Sequence, residues 1–290
     1  MSATINVAFM NEFSSSVIHA AQQTESLLWP RVRHDIKTTG NKFFFEILGS
    51  VSSQKVTARH SPSVYTPSTH TRTMVYWEDY ALGDYMDDAD EPNILIDAKG
   101  AYQQNFKYAM ARDMDSVIIT ALGGSRWTGV SGTTEVAYDT STYRIAEGGT
   151  GLTELKIRQA KKVIASACDM NMQNESFVLL IGEYQLYTDL LGITEIKSQD
   201  YNTVRALVGG TVDTWMGCRV VVHPNLATTG SDRICYVYCE SGIGSAMRAQ
   251  SANAAPDPGH NFNTYLNLRY SLTAGRIQDE KVCQILCLES

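Results

Sequence analysis

The sequence predicts a mixed α+β fold, and three observations carry that prediction. Several short stretches alternate between apolar and polar residues, or run continuously apolar, as strands do. Longer stretches repeat apolar residues every three to four positions, as amphipathic helices do. A strand-helix step, SFVLLIG followed by EYQLYTDLLG, precedes a closing series of strands. With 290 residues, 43% hydrophobic and 19% charged, the chain is long enough to bury one large core or two small ones. Its composition is neither disordered nor fibrous.

From about Ile5 to Leu28, Phe9, Phe13, Val17, Ala21 and Leu28 mark one face of a helix that Pro30 ends. This terminal helix docks either on its own chain or on a neighbouring one. Between Lys42 and Trp77, FFFEI and TMVYW flank a stretch rich in Ser, Thr, His and Pro that holds Pro62 and Pro67. The pattern predicts a long, projecting, two-stranded arm. An isolated hairpin is marginal in water, so an arm of this length needs something outside the subunit to lie on.

Charge is segregated around this arm. From Gly49 to Trp77 there is no acid, only Lys55, Arg59 and Arg72 with His60 and His70. Then Glu78, Asp79, Asp84, Asp87, Asp88, Asp90 and Glu91 follow within fourteen residues. A charge run is ordinarily a solvated face. Opposite signs on an arm and its root also suit docking of one subunit on the next. Lys55, Arg59, Arg72, Glu78, Asp79, Asp84, Asp87 and Asp88 are therefore the candidate contact residues between subunits.

Asp97 suits the N-cap of a long helix whose Tyr102, Phe106, Ala109, Met110, Asp113, Val117, Ile118 and Ala121 lie on or beside one face, with Gly123 and Gly124 as its stop. About 25 residues at 1.5 Å each make a rod of roughly 37 Å, suited to be a spine. Ser125 to Gly151 reads as a loop or short hairpin. Thr153 caps a second helix, TELKIRQAKKVIASACD, whose Leu155, Ala160, Val163, Ile164 and Ala167 face inward. Its Arg158, Lys161 and Lys162 form a solvated face rather than a phosphate site. SFVLLIG is a buried strand and EYQLYTDLLG a short helix ended by Gly192. GGTVDTWMGCRVVVHP, RICYVYCES, a short helix from about Gly242 to Ala249, and strands around YLNLRYSLTAG and DEKVCQILCL complete the chain. No internal repeat is visible.

Several function classes fall away. No apolar run approaches the 18 residues of a membrane span, and MSATINVAFMNEF lacks the features of a signal peptide, so the chain is expected to stay in the cytoplasm where it is made, without membrane contact. A net charge of −7 argues against a protein that grips phosphates over its whole surface. Cys235/Cys239 and Cys283/Cys287 each sit four apart in a strand, hence roughly 13 Å apart. A disulfide needs Cα atoms within about 7 Å, so neither pair closes on itself, and the cysteines read as small buried hydrophobes. There is no phosphate loop, nucleophile elbow or H-E-x-x-H, and the six histidines are scattered. A metal-dependent hydrolase has only Asp84, Asp87 and Asp88 to use, with no calcium-loop pattern, nucleophile or phosphate cradle beside them. No catalytic, cofactor-binding or metal residue is assigned.

His70 to Arg72, Asp79-Tyr80, Leu95-Ile96-Asp97, Arg112 to Asp115, and Val117-Ile118-Ile119 leading to Gly123 form a series that resembles the major capsid proteins of tailed bacteriophages with the Hong Kong 97-like fold. The likeness is nearest to a branch common among short-tailed phages. YSLTAGRIQDEKVCQILC is similar to that family's closing strands, and SFVLLIGEYQLYTDLL with TWMGCRVVV resembles its axial domain. The resemblance covers about Phe43 to the end. Ala98, where the family often has proline, and Asp113, where a basic or small residue is more usual, depart from the pattern. Alanine is the better helix former, so the spine is not threatened.

The resemblance implies an N-terminal arm (1–41), an extended loop (42–88) lying across the adjacent subunit, and a peripheral domain (89–175) with a spine helix over 97–122. It further implies an axial domain (176–247) and a return to the peripheral domain (248–290). Function is then assembly into hexamers and pentamers of an icosahedral head in the host cytoplasm, enclosing double-stranded DNA by containment. Portal and scaffolding proteins are the implied partners, and no cofactor is implied. A cellular nanocompartment shell, which shares the fold, is the alternative.

Overall fold

The computed structural model describes residues 22–34, 39–57, 59, 63–86, 98–168, 175–190 and 214–289. After a 3₁₀ turn at Trp29–Arg31 come β1 (Lys42–Leu48), β2 (His70–Tyr76), β3 (Glu78–Met86) and α1 (Ala98–Gly123). β4 (Arg126–Thr128), β5 (Thr134–Val136), β6 (Arg144–Ile145), α2 (Glu154–Cys168) and β7 (Phe177–Ile181) follow. A π-type turn at Gln185–Leu190 leads to β8 (Thr214–Trp215), β9 (Cys218–Val222), β10 (Thr228–Thr229) and β11 (Asp232–Cys239). The chain closes with β12 (Ile243–Pro256), β13 (Thr264–Arg276) and β14 (Val282–Leu288). It divides into two units, a larger one of Leu27–Glu78, Met114–Met247 and Leu272–Ser290, and a smaller one of Met1–Ser26, Asp79–Asp113 and Arg248–Ser271.

The larger unit is built on a seven-stranded sheet in the order β6-β14-β11-β7-β9-β8, with β10 beside β11. Its central strands are covered on both faces, which is why they read as continuous apolar runs. Val178, Leu180, Ile234, Tyr236 and Tyr238 point to one side, where Ile118, Ile119 and Leu122 of α1 pack. Phe177, Leu179, Ile181, Cys235, Val237 and Cys239 point to the other, against Ile157, Ala160 and Ile164 of α2. Period-two alternation sends the five strand cysteines, Cys218, Cys235, Cys239, Cys283 and Cys287, to the α2 side. All six cysteines are free. Burial pushes the Cys239 and Cys283 thiols up to about 12, so both stay protonated and behave as apolar side chains.

A second, four-stranded sheet in the larger unit has the order β1-β2-β4-β5. It contains the predicted hairpin, paired antiparallel from Lys42↔Tyr76 to Leu48↔His70. The region after α1 supplies its other two strands as the short hairpin β4-β5, joined through Thr73↔Thr128 and Met74↔Trp127. In the smaller unit β12, β13 and β3 form a three-stranded sheet. There Tyr80 stacks on Tyr270 at 5.6 Å, and Tyr270 donates its hydroxyl hydrogen to Asp113.

Four expectations need correction. Residues 22–28 are irregular, not the end of a helix, and Pro30 lies inside a 3₁₀ turn; the rest of the expected N-terminal helix falls outside the described residues. The short helix expected from Gly242 to Ala249 is instead the start of β12, because Ile243, Ser245 and Ala246 are buried in an extended ladder beside Arg33. On α2, Leu155 is exposed and Lys156 buried: the ammonium donates to the carbonyls of Thr150, Gly151 and Leu286 at 2.7, 2.7 and 3.0 Å, so the inward face is rotated toward it. Lys161 is not simply solvated, since it donates to the Met216 carbonyl at 2.8 Å and lies over the Phe177 ring. Thr153 does cap α2, accepting from the Lys156 amide. Asp97 and Gly192 lie outside the described residues.

Candidate inter-subunit interface

The arm begins where β1 and β2 leave the body, and Gly49 closes the paired region by donating its amide to the Thr69 carbonyl at 2.7 Å. A Cβ at Gly49 would lie 2.1 Å from the Thr69 hydroxyl, so a side chain here would force Thr69 to shift. Beyond it, residues 50–57, 59 and 63–69 are exposed and carry no regular secondary structure. Val51, Val56, Val64 and Tyr65 are among them, Tyr65 with 84% of its surface in solvent. Val130, at the tip of the adjoining β4-β5 hairpin, is 82% exposed. Apolar side chains left this exposed on the arm and the adjoining turn suit an interaction surface rather than a core.

The root of the arm is the opposite. Thr73, Met74 and Val75 are buried, three residues after exposed His70. Val75 packs with Phe45, Ala246 and Ile277, and a Cβ at Gly275 would lie 2.1 Å from a Val75 methyl. The Thr73 hydroxyl donates to the Ile277 carbonyl. Beside it sits a buried charge network. Arg276 donates to Asp279 at 2.6 Å and to the carbonyls of Leu122 and Ala121, and its guanidinium stacks on the Tyr138 ring at 4.6 Å. Arg126 approaches the other Asp279 oxygen at 3.0 Å. Arg276 thus supplies the last turn of α1 with hydrogen-bond donors and with the positive charge a helix C-terminus favours. Burial pushes the Tyr138 hydroxyl well above its ordinary value, keeping it a donor to the Tyr143 and Val282 carbonyls.

A second buried acid holds the other side of α1. Asp115 accepts the amides of Leu27 and Leu28 at 3.0 and 3.1 Å, and His223 Nε2 lies 3.5 Å from it. The His223 Nδ1 accepts the Asn225 amide at 3.1 Å, which leaves its hydrogen on Nε2, facing Asp115. The buried stripe of α1 runs through Ala111, Met114, Asp115, Ile118, Ile119 and Leu122. Among the described side chains of the face expected from sequence, only Ile118 is fully buried, and Asp115 escapes that expectation because a lone acid reads as solvated.

The candidate contact residues divide. Lys55 and Arg59 are exposed on the arm. Arg72 pairs across the hairpin with Glu46 of its own chain at 2.7 Å, as the Glu46↔Arg72 register dictates. Glu78 is exposed, Asp79 accepts the Ser271 hydroxyl at 2.6 Å, and Asp84 accepts the Tyr85 amide. Asp87 and Asp88 lie outside the described residues. Among the described residues no three His, Cys, Asp or Glu side chains are grouped to hold a metal ion, and no helix is long and apolar enough to cross a membrane.

Comparison with known proteins places this architecture. No curated protein matches the chain. Among solved structures, a chain of Mycobacterium phage Che8 superposes with a TM-score of 0.70 at 15% identity, covering 96% of this chain and 97% of that one. The cyanophage Pam1 capsid asymmetric unit gives 0.69 at 16% identity over 99% and 98%. The capsid of Ralstonia phage GP4 gives 0.70 at 8% identity over 100% and 98%. These likenesses establish the Hong Kong 97-like fold. The family model described as phage capsid protein matches residues 5–289, so nearly the whole chain is covered. The chain belongs to the phage capsid protein family and is a subunit of an icosahedral shell.

Proposed function

We propose that this subunit assembles by laying its arm, residues 42–88, across an adjacent copy, with 1–41 as a further arm. Residues 89–175 and 248–290 then make the peripheral domain around the 97–122 spine, and 176–247 make the axial domain. Hexamers and pentamers of the chain close the head around double-stranded DNA, which a net-acidic subunit contains more than it grips. A portal protein, a scaffolding protein and assembly in the host cytoplasm belong to the same reading, as does the absence of any catalytic role. The observation that carries it is the contrast within β2: buried at Thr73–Val75, then exposed into a loop whose valines and Tyr65 face solvent.

The test replaces residues 50–68 by a short turn. The subunit is expected to fold with an unchanged melting temperature yet give no closed shells by negative-stain microscopy. Normal shells from that variant would overturn the arm's role. Lys55→Glu with Arg59→Glu is expected to weaken assembly through the acids Glu78, Asp79, Asp84, Asp87 and Asp88 of a neighbour; assembly as in the unmodified protein would remove the electrostatic part. Nucleic acid, rather than protein cargo, in the particles separates a phage head from a nanocompartment.

A further inference from the structure

Between β12 and β13 the smaller unit makes a tight tip, residues 256–264, around the dipeptide Asp257-Pro258. Asn261 and Phe262 both adopt left-handed φ, 55° and 60°. For a bulky residue this is a genuine outlier, held only when its surroundings over-determine it. The strained turn converges on one peptide bond. The Asp257 carbonyl oxygen accepts the amides of His260 and Phe262 at 3.1 and 3.0 Å, two donors on one oxygen. One oxygen of the Asp257 carboxylate accepts the Gly259 amide at 2.9 Å, and the ring that this hydrogen bond closes contains the Asp257–Pro258 bond. The other accepts from His260 Nδ1 and from the Tyr85 hydroxyl, each at 2.8 Å. A carboxylate only accepts, so the imidazole hydrogen lies on Nδ1. Tyr85 is held in turn against the His260 and Tyr265 rings at 4.5 and 4.7 Å.

These are the parts that breaking an acyl bond needs: a nucleophile, two amide donors where negative charge develops, and an acid bound beside the nucleophile. Proline completes them. Pro258 has no N–H, so its nitrogen cannot close on the Asp257 side chain, and the carboxylate is left as the attacking group. We propose that this tip is a self-cleavage site, at which the Asp257 carboxylate breaks the Asp257–Pro258 peptide bond under mildly acidic conditions. A carboxylate oxygen adds to the Asp257 carbonyl carbon, and the His260 and Phe262 amides hold the oxyanion that forms. The C–N bond then breaks, its electron pair leaving on the Pro258 nitrogen, which takes a proton from the His260 imidazolium. The five-membered cyclic anhydride left on Asp257 adds one water and opens to two carboxyl groups. The net change is hydrolysis of one peptide bond, by a chain that acts once on itself and turns over no other molecule. The titratable groups facing the carboxylate are His260 of the same turn and Tyr85 of β3, with Tyr265 of β13 behind Tyr85. The Gly259 amide first, then His260 and Tyr85, hold the Asp257 carboxyl below its ordinary value, so the nucleophile stays ionised where a histidine gains its proton.

The full-length protein, folded at about pH 5, is expected to give two fragments by mass spectrometry, one ending at Asp257 and one beginning at Pro258. Their rate of appearance should exceed that of the same chain unfolded in urea at the same pH by about a hundredfold, the scale of one oxyanion donor or one general acid. An equal or slower rate in the folded chain would overturn the proposal, because the turn then contributes nothing. Asp257→Asn removes the nucleophile, and Pro258→Ala keeps the carboxylate and its partners but offers a less basic leaving nitrogen; both chains should stay whole. Fragments joined at this bond from Asp257→Asn would sink the carboxylate's role. His260→Gln keeps an N–H for Asp257 but carries no titrating proton. It should slow cleavage about tenfold and flatten the rise in rate between about pH 7 and 5. A rate lowered equally at every pH would instead make His260 a positioning residue and overturn it as the acid.

Discussion

The arm and its root belong to one hairpin but obey opposite rules. At the root the side chains of β2 and its neighbours find partners within the chain: Thr73 in Ile277, Val75 in Gly275 and Phe45, and Arg276 in Asp279 and the end of α1. Past Gly49 the same chain leaves valines and Tyr65 in water. The contrast teaches a division of labour. The subunit's own folding energy fixes the point and register at which the arm departs, and leaves the arm's apolar surface open for the docking proposed above.

The contrast breaks hardest at Arg276. Arg276→Met keeps the bulk but strips α1 of its C-terminal donors and leaves Asp279 buried with one partner fewer. A loss of about 3–5 kcal/mol is expected, the scale for removing one side of a buried charge pair. Denaturant unfolding of the unassembled subunit measures it. Asp115→Ala should cost about 2–3 kcal/mol, because the part-buried Leu27 amide and the buried Leu28 amide lose their acceptor. Asp115→Asn, retaining one carbonyl oxygen, should cost less. By contrast, Tyr65→Ser on the arm should move stability by no more than about 0.5 kcal/mol while still weakening assembly.

Legibility in the sequence follows the same line. Both strands of the hairpin, both helices, β7, β11 and the two closing strands were readable, since their periodicity comes from burial within one chain. β12 was not, because Gly242 to Ala249 holds small residues that suit either state, and pairing beside Arg33 decides it. Asp115, Lys156 and Arg276 were hidden for a common reason. A charged residue reads as solvated unless its partners are known, and each of these has a partner distant in sequence: Leu27 and Leu28, the Leu286 carbonyl, the end of α1. Arg72 is the converse: its charge is plain in the sequence, while its partner within the chain, Glu46, is seen only once the hairpin register is known.

Two ion pairs sharpen the comparison at its small end. In the body, Arg233 grips Glu289 with two nitrogens at 2.8 and 3.0 Å, and Gln185 adds a third bond at 3.0 Å. The Arg233 guanidinium first, and Gln185 less, hold the Glu289 carboxyl below its ordinary 4.5. A carboxyl depressed in the folded state stabilises fully above its unfolded value and loses that contribution as pH falls through the folded one. Unfolding measured from pH 7 downward should show Glu289→Gln about 1 kcal/mol less stable at neutral pH. The gap should close below pH 4.5, where the two proteins converge.

On the arm, Arg72 and Glu46 meet through a single nitrogen at 2.7 Å, with roughly half of each side chain in water. Solvent screens their attraction, and ordering two flexible side chains offsets much of the rest, so Arg72→Ala should cost at most about 0.5 kcal/mol and nothing measurable in 1 M salt. Its use is elsewhere. The pair neutralises the one acid on β1, so that the arm beyond Gly49 presents Lys55 and Arg59 alone. Glu46→Gln should therefore leave stability unchanged and slow assembly no more than Arg72→Ala does. A strong assembly defect from Arg72→Ala alone, at unchanged melting temperature, would instead make Arg72 a direct contact with the neighbouring copy, and would move the border between root and arm inward to β2 itself.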